Sequence, residues 1–341
     1  MDPKQKKRLI WQVPFLVLLV VGTILIIRQQ RNTPYQRSSG LIFGTTYHIT
    51  YQYDRDLNEE LEAKMREVDA TLSMFNDRSL ITRINHNDDV APTPMFLDVF
   101  NEAMKISQDT NGAFDITVAP LVNLWGFGFK SGQNPSSHAI DSLRAIIGYQ
   151  KVSYDGRRIR KQDPRIMLDC SAIAKGYGSD VVARLLDEKG ITNYLVEIGG
   201  EIVTRGISES RLPWKIGITK PNSDAEAGQG EVQTVLNVTD KAMATSGNYR
   251  NFYYKDGRKY AHTIDPKTGR PVQHNILSAT VLSDRCARSD AYATAFMVMG
   301  LDRAKQVLER NPDLMAYLIY DDRGKMGVWY SPSLKSKING Q

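Results

Sequence analysis

Asp169-Cys-Ser-Ala-Ile-Ala-Lys175-Gly-Tyr-Gly178 decides how the chain is read. A carboxylate, a run of small side chains, a lysine and two glycines lead into a helix. Small residues let backbone approach a ligand, and a helix start offers free N–H groups suited to phosphate oxygens. A strand-to-helix turn capped by Asp169 accounts for the same letters. The helix that follows reads as Ser179–Lys189, stopped by Gly190. Beyond it come short strand-like runs, Tyr194–Ile198, Trp214–Thr219, Thr234–Val238 and Ile276–Leu282. A helix is expected from Ala287 to Met299, and a hairpin from Met315–Tyr320 and Met326–Tyr330 about Asp321-Asp322-Arg323-Gly324.

Upstream, Thr45, Tyr47, Ile49, Tyr51 and Tyr53 alternate as a strand does. Leu61, Met65, Val68, Leu72 and Phe75 recur at helical spacing. Thr93-Pro94 has the form of an N-cap and first helical residue, opening a helix to Gln108. Residues 126–138 read as a loop. The mixture predicts an α+β fold, not a regular βαβ series.

Net charge is +6, but its distribution excludes a nucleic-acid surface. Seven of the 44 bases and one of the 38 acids lie in residues 1–39, so the remainder carries 37 of each. Trp11–Ile27 is an uncharged, mostly apolar run at the short end of what spans a bilayer. Four bases precede it, which orients the start inward and the body outward. The sequence therefore predicts a cytoplasmic basic segment (1–10), a transmembrane anchor (11–27), a polar linker (28–40) and a catalytic domain (41–335) on the periplasmic side of the inner membrane. A cleaved leader is the rival, although no small-x-small site closes the run.

Gly126-Phe-Gly128 lacks the third glycine and preceding strand of a dinucleotide fingerprint, and no phosphate loop exists. The five histidines form no i, i+4 pair for zinc. Two cysteines, Cys170 and Cys286, leave at most one disulfide. Asp290 and Thr294 share a helix face, and their oxygens suit a hard cation such as magnesium; an acid favouring a helix start explains Asp290 equally. His262-Thr-Ile-Asp265-Pro-Lys-Thr-Gly269 sets a histidine before a rigid turn, which is either a base for proton transfer or a plain hairpin. In Asn111-Gly-Ala-Phe-Asp115, Phe114 could stack on a flat ring and Asp115 bond its polar edge; a strand entering the core is the other reading.

In this order the segments resemble the ApbE family of FAD:protein FMN transferases, over roughly residues 41–330. The shared motifs are Gly-Ala-Phe-Asp, Asp-x-Ser-Ala-x-Ala-Lys-Gly, Glu197-Ile-Gly-Gly200, His-x-Ile-Asp-Pro-x-Thr-Gly and Ser-Asp-Ala-x-Ala-Thr. The resemblance implies a two-lobed, T-fold-related domain with mixed or antiparallel sheets and FAD in the cleft. Ala113, Phe114 and Asp115, with Asp169, Lys175 and Ile264, would line the nucleotide site. Phe43 matches a position usually held by Met, and Phe75 an aromatic position near the ligand. The Ala172 carbonyl, Asp290 and Thr294 would hold Mg2+, and His262 would be catalytic. Cys170 stands where an aliphatic residue is common, and the anchor replaces the usual lipid-bearing Cys. If one cation binds both segments, the two sulfurs lie close.

The implied reaction transfers FMN from FAD to a threonine or serine hydroxyl of an acceptor protein, a subunit of a membrane redox complex, and releases AMP. An FAD pyrophosphatase, or a protein that stores FAD without chemistry, are the alternatives.

Overall fold

The computed structural model describes residues 12–24, 28, 33–127, 135–221, 231–247, 252–255, 258–261, 263–272 and 274–338. Its centre is an eight-stranded sheet of β1 (Tyr35–Ile42), β2 (Thr45–Gln52), β3 (Tyr194–Ile198), β4 (Glu201–Arg205), β5 (Lys241–Gly247), β6 (Ile276–Ser283), β7 (Met315–Asp322) and β8 (Lys325–Tyr330). They lie side by side in that order, every pair antiparallel. The α+β expectation holds.

One face of the sheet carries α1 (Asn58–Leu72), α2 (Pro94–Asp109), α3 (Ser171–Glu188) and α4 (Cys286–Met299). The hairpin Trp214–Thr219 and Val232–Val238 covers the other. Neighbours on β7 show the division: Leu318 joins Phe296 of α4 in the largest core, while Ile319 joins Ile216 and Leu236. This is the two-residue side-chain period of a strand sandwiched between layers. On α1, Leu61, Met65, Val68 and Leu72 are the buried apolar positions, as their spacing predicts, and Thr93 caps α2 through its side chain. By contrast α4 is buried nearly all round, the mark of a central helix.

Three boundaries differ from expectation. Tyr35–Gly40, expected within the linker, forms most of the edge strand β1; its polar side chains suit an edge with water on one side. Second, α3 begins at Ser171, eight residues early. Gly176 and Gly178, read as loop, are helical positions kept small by neighbours. A Cβ on Gly176 would lie 2.4 Å from the Cys286 carbonyl oxygen, and one on Gly178 would lie 2.6 Å from the Phe43 ring. Third, the anchor expected over Trp11–Ile27 is helical at residues 12–24, and its other residues lie outside the described ones. Among the described residues no helix is long and apolar enough to cross a membrane. Residues 12–24 make about 20 Å of helix, against about 30 Å of hydrocarbon.

Candidate active site

The site forms where α3 and α4 cross. The absence of a side chain at Gly176 lets the two backbones touch, and Asp290, the one carboxylate on α4, reaches across the contact. Its Oδ2 accepts the Gly176 N–H at 3.1 Å. In a regular helix that N–H belongs to the Ala172 carbonyl. Two of the expected cation ligands, the Ala172 carbonyl and Asp290, therefore converge on one amide. One turn further along α4, the Thr294 hydroxyl is 3.1 Å from Ser246 Oγ at the end of β5. Ser246 was not foreseen. Its signal is positional, since β5 pairs with β6 beneath α4.

This donor set is all oxygen. Among the described residues no group of three His, Cys, Asp or Glu could hold a metal, so a tight all-protein cage is absent there. A single carboxylate, a hydroxyl and a carbonyl fit a hard ion that keeps water and substrate phosphate as further ligands.

Lys175 lies on the same face of α3. Its stem crosses the Gly199-Gly200 turn, where both glycines have positive φ, and a Cβ on Gly199 would meet Lys175 Cδ at 3.3 Å. Its Nζ ends 2.6 Å from Glu201 Oε1. Burial pushes the Lys175 ammonium down, but the charges of Asp290 and Glu201 outweigh it and hold the pKa above the ordinary value. Burial pushes both carboxylates up, with Lys175 pulling against it at each. Glu201 is 2 % exposed, and its Oε2 has no hydrogen-bond partner among the described residues. It too was missed, one residue past the Glu-Ile-Gly-Gly motif.

The other expected residues divide. Asp169 belongs to the site's framework: its N–H donates to the Ile116 carbonyl at 2.7 Å, and its Oδ1 accepts the Ser171 N–H at the start of α3. The bond to Ile116 ties the residue that follows Gly-Ala-Phe-Asp to the start of α3. Asp115 is buried and acts as a bracket. Oδ1 accepts from the Thr117 N–H and hydroxyl, and Oδ2 from the Tyr149 N–H. Burial raises its pKa against those bonds. Ala113 and Phe114 are buried in the main core, in turns and not in a strand. Phe43, in the β1–β2 turn with φ 52°, packs on Gly178. Ile264 is buried with Leu121, Trp125 and Ile140, so its backbone is what it offers a ligand. Phe75 is 73 % exposed beyond the end of α1.

His262 lies outside the described residues. The turn after it is pinned from two sides, by Trp125 Nε1 donating to the Gly269 carbonyl at 2.7 Å and Arg144 Nε donating to the Lys267 carbonyl at 2.8 Å. Both cysteines are free and buried, so the bridge left open by the sequence is not formed.

Comparison with known proteins gives one consistent result. The ApbE family model matches residues 43–319. A Vibrio cholerae protein named FAD:protein FMN transferase is 39% identical over 297 residues, 84% of this chain and 88% of that protein. An Escherichia coli protein of the same name is 36% identical over 290 residues, 82% and 81% respectively. Among solved structures, the flavin transferase ApbE from Vibrio cholerae matches with a TM-score of 0.81 at 38% identity, covering 89% of this chain and 100% of that one. The apo form of the Pseudomonas stutzeri flavinyl transferase ApbE matches at 0.80 and 30% identity, covering 90% and 98%.

Proposed function

The chain belongs to the ApbE family, and from that premise we propose that it is an FAD:protein FMN transferase acting on a threonine or serine of an acceptor protein. The observation that carries the reading is the buried Asp290 carboxylate, held on the Gly176 amide beside the Lys175 ammonium. A pyrophosphate bridge needs one anionic anchor for its cation and one cationic anchor for its oxygens, and this pair offers both.

The acceptor hydroxyl attacks the FMN phosphorus of FAD. A new P–O bond forms, the bond to the bridging oxygen breaks, and AMP leaves with that oxygen. The hydroxyl proton passes to a base, for which His262 is the candidate; an unperturbed imidazole, near pKa 6.5, suits neutral pH. The Ala172 carbonyl, Asp290 and Thr294 would hold magnesium, which when bound polarises the phosphorus and offsets charge on the leaving AMP. Lys175 orients phosphate oxygens by charge. Asp169, bonded to the Ser171 N–H, fixes the start of α3. Little covalent work falls to the protein, as is usual for phosphoryl transfer.

The test is to incubate the protein with FAD, magnesium and a threonine-bearing acceptor domain, then look for in-gel flavin fluorescence on the acceptor. AMP release without a fluorescent acceptor would make the protein a pyrophosphatase instead. His262→Ala should slow transfer about 10²- to 10⁴-fold with FAD affinity little changed. A raised FAD dissociation constant with unchanged maximal rate would remove His262 from the chemistry.

The proposal also places the catalytic body outside the cytoplasm, tethered by Trp11–Ile27 to the membrane that holds its redox-complex partner. What supports this is the helix at residues 12–24, whose Phe15, Leu16 and Leu18 are 67 %, 62 % and 73 % exposed. Recovery of the protein in the soluble fraction after lysis without detergent would remove the tether.

A further inference from the structure

Glu201 opens β4 directly after the Gly199-Gly200 turn. It is almost wholly buried, it accepts from Lys175 through Oε1, and its second oxygen is buried without a partner among the described residues. An unpaired buried carboxylate oxygen destabilises a fold, and an apolar pair of similar volume often serves a fold as well as a buried ion pair. Packing alone therefore does not explain Glu201. The surroundings do. Lys175 follows Ala172 by three residues and immediately precedes Gly176, whose amide Asp290 occupies. A lysine with four rotatable bonds would otherwise collapse onto Asp290. Glu201 instead takes the ammonium in a 2.6 Å ion pair, and the bare backbone of Gly199 leaves room for the stem beside it.

We propose that Glu201 is the positioning residue for Lys175: it draws the ammonium away from Asp290 and keeps it pointed at the place where the FAD pyrophosphate binds. The inference rests on the reading of Lys175 as a contact to FAD. Glu201 touches neither substrate nor cation; it acts through Lys175 alone.

A double-mutant cycle on FAD binding by the full chain tests this, with transfer not required. Glu201→Gln keeps the volume and removes the charge. It should weaken FAD binding about tenfold, the order of one charge-assisted contact. Lys175→Met should weaken it at least as much. The double variant should bind no worse than Lys175→Met, because Glu201 has nothing left to position. Glu201→Asp, which restores the charge on a shorter arm, should recover part of the loss and guards against a folding defect in the glutamine variant. Additive losses in the double variant would overturn the proposal, since Glu201 would then act independently of Lys175. So would Glu201→Gln binding FAD as tightly as the parent while Lys175→Met does not. If Lys175→Met itself binds FAD normally, the assignment of Lys175 fails and takes this inference with it.

Discussion

Two buried aspartates hold α3 against α4, and they are used differently. Asp180 accepts the Cys286 N–H through Oδ1 at 2.7 Å and the Ala287 N–H through Oδ2 at 3.0 Å, with Arg285 Nε at 3.9 Å. Arg285 is itself paired with Asp98 and Glu102. At that end of the crossing both oxygens are satisfied. One turn along α4, Asp290 accepts one amide through Oδ2, and among the described residues its Oδ1 has no hydrogen-bond partner. Nearby Glu201 also leaves one oxygen unpaired. The helix pair is thus closed at one end and open at the other. Burial and charge do not tell these two aspartates apart. Unused hydrogen-bonding capacity does.

The largest expected effect is at the open end. Asp290→Asn should lower transfer by at least about 10³-fold, more than loss of one positioned electrostatic contact usually costs, while the fold persists because an amide oxygen still accepts from Gly176. Full turnover of that variant in magnesium would erase the distinction between the two ends. Next is the contact between them. Gly176→Ala brings a methyl against the Cys286 carbonyl and should cost roughly 1–3 kcal/mol from overpacking, read as a lower denaturant midpoint. Third, Asp180→Asn replaces an acceptor of two amides by a group with one acceptor and one donor. It should cost about 1–3 kcal/mol, and transfer per folded molecule should stay near the parent value. A variant of normal stability but lost activity would put Asp180 in the machinery. The smallest effect belongs to His274, just past the far end of α4. Its Nδ1 accepts the Ile276 N–H and its Nε2 faces the Val298 carbonyl, which fixes a neutral ring. Burial lowers its pKa, so the folded protein binds that proton less readily than the unfolded chain. Stability should fall as pH drops through and below about 6.5, and His274→Gln should flatten that slope.

The sequence made the regular parts of this legible. Helical spacing in α1, the Thr93-Pro94 start of α2 and the terminal hairpin all reappear close to their expected limits. Asp290 and Thr294 stand out as candidate ligands because their own oxygens carry the chemistry, whereas Ala172 enters only through the family resemblance. What stayed hidden depends on partners distant in the chain. Gly176 reads as a small residue leading into a helix, and its need to be small shows only when the Cys286 backbone is set against it. Asp115 gives no sign in the sequence of its bond to Tyr149, 34 residues later, which takes its second oxygen. Glu201 carries no local mark at all; its meaning lies in a lysine 26 positions earlier.

The crossing also supplies a clock. Cys286 sits at the point of closest approach, sealed from water, its Sγ near the Met243 carbonyl at 3.5 Å and its thiol pushed far up by burial. Such a sulfur does not meet an alkylating reagent while the helices touch. Its labelling rate therefore counts the occasions on which α3 and α4 part, and a ligand that bridges the two helices would slow the count.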